Sequence, residues 1–207
     1  MMYQLYYSPG ACSMAVHVVL NEMNQPVELI KSAIGVPNAD PKLHQVNPRN
    51  QVPVLVVDGK PLLEGGAIIT YLCDTHASSL MPASGWDRAM ALQWLMYANA
   101  SLHVGYSKAS FVKKNGGAPE LFEKACQQIQ AMWDQIEDHL AKSGKPYLCG
   151  DTMTAGDILV TVIANWGFLG YPFTMGAKTK ALLKAVSTRP AYQKALAAEQ
   201  VEYKAAA

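Results

Sequence analysis

One short segment near the N-terminus restricts the possible folds of this chain more than any other. Leu5-Tyr6-Tyr7 predicts a buried strand, Pro9-Gly10 a turn, and the apolar spacing from Ser13 to Met23 a helix. Cys12 therefore lies in the first turn of the predicted helix. Because a helix N-terminus has unpaired backbone N–H groups and the positive end of the dipole, it favours a thiolate of the protein or of a bound ligand.

This order of strand, turn and helix, with a cysteine in the first helical turn, resembles the thioredoxin fold with one difference. Ala15 occupies the position at which a C-x-x-C motif has its second cysteine. A dithiol–disulfide cycle within the motif is therefore excluded. The sequence predicts either a site with one protein thiol or a site that binds the thiol of another molecule.

Composition narrows the class of protein. The chain has 207 residues, half of them apolar, and a formal net charge of +1 without a basic run, so nothing indicates a nucleic-acid or membrane partner. The N-terminus lacks the pattern of a signal peptide, which favours a cytoplasmic location with reduced thiols. The cysteines lack metal-ligand spacing, and no metal is expected. They are Cys12, Cys73, Cys126 and Cys149.

The chain changes character near its middle. The first part predicts the order β-α-β-α-β-β-α and hence a small mixed sheet covered by helices. The stretch from His76 to Gly85 has the composition of a linker, after which only helical patterns follow. We expect an α/β thioredoxin-like domain over residues 1–78 and an all-helical bundle domain over residues 86–207. The predicted elements of the first domain are Tyr3–Tyr7, Ser13–Met23, Val27–Lys31, Pro41–Val46, Val54–Val57, Pro61–Leu63 and a helix from about Gly65 to Asp74.

The helical part carries two kinds of signal. A stripe that begins at Trp86 and continues through Trp94 to Leu102 predicts one long helix with these side chains in the core. Thr154 and Asp157 have the spacing of a capping box at the start of a later helix. Loss of such a cap is expected to cost about 0.5–2 kcal/mol.

Five motifs, in order along the whole chain, closely resemble the glutathione S-transferases of bacteria, and the Pro-Gly-Ala-Cys-Ser element points to the beta class. This resemblance implies a thioredoxin-like domain followed by a helical domain, usually in a homodimer. The motifs are Tyr-Tyr-Ser-Pro-Gly-Ala-Cys-Ser (6–13), Asn-Pro-Arg-Asn-Gln-Val-Pro-Val-Leu (47–55), Leu-Leu-Glu-Gly-Gly-Ala-Ile-Ile-Thr-Tyr-Leu (62–72), Leu-His-Val-Gly-Tyr (102–106) and Tyr-Leu-Cys-Gly-Asp-Thr-Met-Thr-Ala-Gly-Asp (147–157).

The resemblance also implies a glutathione site in the first domain. Val52 would offer its backbone to the cysteinyl part of glutathione, and the Val52–Pro53 bond is expected to be cis. The free N–H groups at Gly65 and Gly66 suit the γ-glutamyl carboxylate, and the Glu64 carboxylate suits the ammonium group.

Four residues are candidates for the chemistry. Cys12 would form a mixed disulfide with glutathione or lie beside its sulfur, whereas the hydroxyl of Ser13 or Tyr7 would donate to the glutathione thiolate. His103 matches a histidine that lines the beta-class active site and titrates near neutral pH. Further guesses for the electrophile side are Met96, Tyr97, Tyr106 and Trp166.

Three polar contacts of the family are missing here. Val104 replaces a lysine and Met96 an asparagine, and the loop from Ser32 to Asn38 lacks a lysine that holds glutathione. Such contacts are worth roughly 1.5–3 kcal/mol each, so glutathione binding would weaken unless Arg49, Asn50 or Gln51 compensates.

We therefore expect a glutathione transferase that conjugates glutathione, as co-substrate, to small apolar electrophiles in detoxification. One alternative is glutathione-dependent thiol–disulfide exchange through Cys12. The other is a transferase-fold binding protein without efficient catalysis.

Overall fold

The computed structural model of the chain describes residues 1–34, 40–167 and 170–205. Residues 35–39 of the loop without the family lysine lie outside these ranges. The N-terminal part is a four-stranded mixed sheet in the order β2-β1-β3-β4, in which β1 runs parallel to β2 and antiparallel to β3. The predicted thioredoxin-like topology is confirmed. The strands are β1 (Tyr3–Tyr7), β2 (Val27–Lys31), β3 (Val54–Val57) and β4 (Lys60–Leu63).

Side chains of the central strands alternate between two cores. Leu5 and Leu55, which face each other in the β1–β3 register, point into the main core of the molecule. Their neighbours Tyr6 and Val54 point to the opposite face, where they pack with Leu43 in a smaller cluster. This alternation follows from the period of two in a strand and places one helix layer on each face.

The connections of the first domain follow the local signals in the sequence. Asp58 and Gly59 both have positive φ, +47° and +83°, as the hairpin between β3 and β4 requires. Asp40 caps its helix by accepting from the backbone N–H of Lys42 and Leu43. The helices are α1 (Ser13–Glu22), α2 (Pro41–Val46) and α3 (Gly65–Thr75).

In the described part of the chain, the second domain is built of helices joined by loops. Its first helix, α4, continues through a π-helical turn (Tyr97–Leu102) directly into α5, which makes one uninterrupted helical rod. The expectation for this rod was wrong in one respect, because Trp86 is 77% exposed although Trp94 and Leu102 are buried. The helices are α4 (Gly85–Met96), α5 (His103–Lys114), α6 (Pro119–Ser143), α7 (Ala155–Ala164), α8 (Ala177–Ser187) and α9 (Pro190–Glu199).

Helix α7 is the buried centre of this domain, and its start is fixed by the predicted capping box. The Asp157 carboxylate accepts from the backbone N–H of Thr154 at 2.7 Å and from its hydroxyl at 2.9 Å. It also accepts from the backbone N–H of Leu148 at 2.9 Å. The linker contributes as well, because the N–H of Ala155 donates to the carbonyl of Leu80. No helix in the described ranges is both long and apolar enough to cross a membrane.

Candidate active site

A cleft of about 1070 Å³ lies between the two domains. This volume exceeds the roughly 300–1,000 Å³ that is usual for a single small ligand. Cys12, Val52 and Gly65 form part of its wall on the first domain, and His103 and Trp166 on the second. The cleft therefore has room for two molecules, with one wall from each domain.

The turn before Cys12 is held by the C-terminal domain. The backbone N–H of Gly10 donates to the Glu199 carboxylate at 2.9 Å, and the Trp166 indole N–H donates to the Gly10 carbonyl at 2.7 Å. The second Glu199 oxygen lies 2.9 Å from Nδ1 of His17, and both of these side chains are buried. Neither His17 nor Glu199 has a motif, so sequence reasoning did not identify this link across more than 180 residues.

Cys12 lies at the N-cap of α1 and lines the cleft. Its thiol donates to the carbonyl of Val52 at 3.4 Å. Burial raises the pKa of the Cys12 thiol to about 11, and this outweighs the lowering by the backbone N–H groups of Ser13 and Cys12 itself. The helix end lowers the pKa of Cys12 as expected, but desolvation is the larger effect and favours the thiol over the thiolate.

The two hydroxyl candidates lie away from the cleft surface. Ser13 is fully buried, and its hydroxyl donates to the Ser8 carbonyl and accepts from the Ser8 N–H. Tyr7 is packed in the main core, where burial raises the pKa of its phenol. Neither residue is in the cleft wall, so neither hydroxyl faces a ligand there.

The Val52–Pro53 bond is cis, as predicted. The preceding loop is organised by the buried Asn47, whose amide donates to the carbonyl of Gln51 at 2.8 Å. Pro53 packs beside the start of α3, since a Cβ built on Gly65 would lie 3.6 Å from its ring. The backbone of Val52 is thus presented between the Cys12 turn and the N-terminus of α3.

Glu64 has an unusual backbone for a residue other than glycine, with φ of +70° immediately before α3. Its carboxylate accepts from the Arg49 guanidinium at 2.7 Å, and both side chains are more than half exposed. Arg49, Asn50 and Gln51 all line the cleft, so each is available to replace a missing polar contact. Strained backbone of this kind is frequent at ligand sites.

Two neighbouring glycines at the start of α3 have different environments. Gly65 lies in the cleft wall, whereas Gly66 is buried and a Cβ there would lie 2.5 Å from Cε of Met96. That the backbone N–H groups of Gly65 and Gly66 meet the γ-glutamyl carboxylate remains a prediction. Met96 covers this part of the helix end instead of lining the electrophile side.

Asn99 is a cleft residue that the sequence did not reveal. It lies in the π-helical turn, and its Oδ1 is 3.4 Å from the position of a Cβ on Gly65. Its amide thus faces the N-terminus of α3, one turn beyond Met96, which occupies the family position for asparagine. Asn99 follows Met96 by three positions and so lies on the same face of the helix, which was the available signal in the sequence for a polar group here.

The wall from the second domain is aromatic. The His103 and Trp166 rings meet edge to face with centroids 4.9 Å apart, and Tyr106 packs against Trp166 at 6.1 Å. Burial lowers the pKa of His103, so its imidazole is neutral at pH 7. The Tyr106 hydroxyl accepts from the Trp133 indole N–H, and burial raises the pKa of Tyr106 to about 12.

Of the guesses for the electrophile side, Tyr97 and Met96 are not among the residues that line the cleft. The Tyr97 hydroxyl is within donating distance of the Met132 carbonyl and of the Gln135 side-chain oxygen. The described residues contain no group of three or more His, Cys, Asp or Glu side chains that could hold a metal ion.

Comparisons with known proteins agree with this geometry. A family model described as "Glutathione S-transferase, N-terminal domain" matches residues 3–80, and its C-terminal counterpart matches residues 119–171. Glutathione S-transferase GST-4.5 of Xanthomonas campestris is 30% identical over 79% of this chain and 81% of its own length. A glutathione transferase crystal structure from Methylococcus capsulatus has a TM-score of 0.85 and 31% identity, covering 96% of this chain and 99% of that one. A sphingomonad glutathione S-transferase complexed with glutathione has a TM-score of 0.84 and 29% identity, covering 96% and 100%.

Proposed function

Because this chain belongs to the glutathione S-transferase family, we propose that it conjugates glutathione to small electrophiles with an apolar body, as a beta-class enzyme. The observation that carries the proposal is a cleft with room for two ligands. Its first wall offers backbone and charged groups for a peptide, and its second offers aromatic rings. We also propose a homodimer on the family resemblance, and, on the sequence patterns, a cytoplasmic location and domains at 1–78 and 86–207.

The tripeptide fits the first wall by its polar groups. Its cysteinyl backbone pairs with Val52 as an added strand would, and takes the carbonyl that the Cys12 thiol now occupies. Its γ-glutamyl carboxylate lies at the N–H groups that begin α3, next to Gly65 and the amide of Asn99. Its ammonium group pairs with Glu64, which leaves Arg49 free to meet a glutathione carboxylate.

Cys12 and His103, two of the cleft residues with perturbed pKa values, divide the chemistry. The neutral imidazole of His103 accepts the proton of the glutathione thiol. Cys12 stays protonated because burial raises its pKa, and its S–H donates to the glutathione thiolate. The thiolate then forms a C–S bond with the electrophilic carbon, and the leaving group departs with the electron pair of the broken bond.

This assignment favours conjugation over thiol–disulfide exchange. Exchange requires attack by a Cys12 thiolate, and a pKa of about 11 leaves very little thiolate at neutral pH. A donor thiol has no such requirement. Cys12→Ser keeps a donor and is therefore expected to retain more conjugation activity than Cys12→Ala.

The test is steady-state conjugation of glutathione to a chlorodinitrobenzene, beside a disulfide-exchange assay and a glutathione titration. We expect saturable turnover, a higher KM for glutathione in Glu64→Gln, and no change in the exposed control Glu120→Gln. Ser13→Ala and Tyr7→Phe should retain conjugation if the buried hydroxyls take no part. Disulfide exchange without conjugation would contradict the proposal and favour the thiol–disulfide exchange alternative. Glutathione binding without either reaction would contradict it in favour of the binding-protein alternative.

A further inference from the structure

The far end of the cleft is formed by one face of α5. Val104, Ser107, Phe111 and Lys114 all line the cavity, at spacings of three and four residues that place them along one side of the helix. Seven residues separate Ser107 from Lys114, which is about 10 Å of helix. This face therefore extends well beyond the thiol site and ends at an ammonium group.

The charges of the cleft wall leave this ammonium group without a counter-ion. Arg49 and Glu64 form an ion pair at 2.7 Å, and in the proposed complex each pairs instead with a charged group of glutathione. His103 is neutral because burial lowers its pKa. Within the described part of the chain, no Asp or Glu oxygen forms an ion pair with Lys114. The described cleft wall thus carries a net positive charge at its far end.

Lysines also occur at helix C-termini because the dipole favours them there. Comparison with Lys113 distinguishes a lysine placed by the helix dipole from one placed to meet a ligand in the cleft. Lys113 is also in the last turn, but its ammonium group lies 5.5 Å from the centre of the Phe122 ring on α6. Lys114 instead lines the cavity, one helical turn from the hydroxyl of Ser110.

We infer that the electrophile of this protein carries a carboxylate at the end of its apolar body remote from the reacting carbon. The inference deepens the proposed function and rests on it. The carboxylate pairs with Lys114 and accepts from the hydroxyls of Ser107 and Ser110, while the apolar body packs on Phe111 and Val104. The reacting carbon then lies at the glutathione sulfur, near Cys12 and His103.

A matched pair of conjugated enones tests this geometry. One is a chalcone with a carboxylate on the ring far from the reacting carbon, and the other is its methyl ester. The glutathione thiolate forms a C–S bond with the β-carbon, the π electrons of the double bond move to the carbonyl oxygen, and the resulting enolate takes a proton from solvent. The thiol proton has gone to His103, so no oxidant or reductant is consumed.

The expected result is a kcat/KM for the acid about two- to fivefold above that for the ester in the natural sequence, as suits a charge pair at an exposed position. Lys114→Gln should remove this preference, and Lys114→Glu should invert it. Lys108→Gln, an exposed lysine of α5 outside the cleft wall, should leave it unchanged.

Two readouts keep the inference separate from the proposed function. Turnover of both enones at equal efficiency would support the transferase and overturn the inference. If neither enone reacts, titration of both with S-methylglutathione bound still compares acid with ester, and equal affinities overturn it. A rise in KM for glutathione in Lys114→Gln with either enone would mean that the lysine serves the tripeptide, which also overturns it.

Discussion

Asp157→Ala removes the acceptor of two buried backbone N–H groups at the start of α7, those of Leu148 and Thr154. The Thr154 hydroxyl also loses its bond, but it retains a contact with the Cys149 sulfur at 3.8 Å. A buried donor left without a partner costs about 1–3 kcal/mol, so the two N–H groups together predict a loss of about 2–6 kcal/mol. This exceeds the value for a helix cap alone, because Asp157 also fixes the preceding loop.

Such a loss is a large part of the roughly 5–15 kcal/mol by which most proteins are stable. It is measured by urea unfolding, followed by circular dichroism at one fixed protein concentration. Asp157→Asn should lose less, since it keeps one acceptor and removes the buried charge whose desolvation raises the pKa of the native carboxyl. Asp151→Ala, whose exposed carboxylate pairs with Lys145, should lose at most about 1 kcal/mol. A loss for Asp157→Ala as small as that control would refute the reasoning.

Three further predictions concern the cleft and the helical domain. Because burial lowers the pKa of His103, kcat/KM for conjugation should fall only as pH drops below about 6.5, and His103→Gln should lack this acid limb while His76→Gln retains it. Asn99→Ala should raise the KM for glutathione about tenfold or more through loss of a charge-assisted bond, whereas the exposed Gln93→Ala should not, and equal KM values would exclude Asn99 from the site. Burial raises the pKa of Glu137, but hydrogen bonds from Thr179 and Lys178 outweigh it and lower the pKa overall. The carboxylate therefore stabilises the fold above its ordinary pKa of 4.5 and less as pH falls through its lowered pKa. Urea unfolding should show Glu137→Gln to be about 1–2 kcal/mol less stable at pH 7, with the difference shrinking on acidification, and a constant difference would contradict the assignment.

Most of the fold could be predicted because its signals are local. The Asp58-Gly59 turn and the Thr154–Asp157 box each fix an element boundary by chemistry within a few residues. The error at Trp86 has a general cause. Helical periodicity tells which residues share a face, but it does not tell where along the helix the neighbouring element ends.

The site was less predictable because its geometry depends on distant contacts. The spacing of Asn99 from Met96 indicates that the two share a helix face, but it does not indicate that this face meets Gly65 at the start of α3. The pKa of Cys12 depends on how much of the second domain and the Val52 loop covers it. No pattern along the first domain contains that information.

The hydrogen bond between Gly10 and Glu199 also determines when, during synthesis of the chain, the turn before Cys12 can be completed. Residues near the N-terminus leave the ribosome first, and the strands of the first domain can pair while the rest of the chain is still being made. The N–H of Gly10 finds its carboxylate only after residue 199 has emerged and α9 has docked on α1. A nascent chain interrupted before α9 would thus contain every residue of the glutathione wall and Trp166, but it would lack the carboxylate that accepts from the Gly10 N–H.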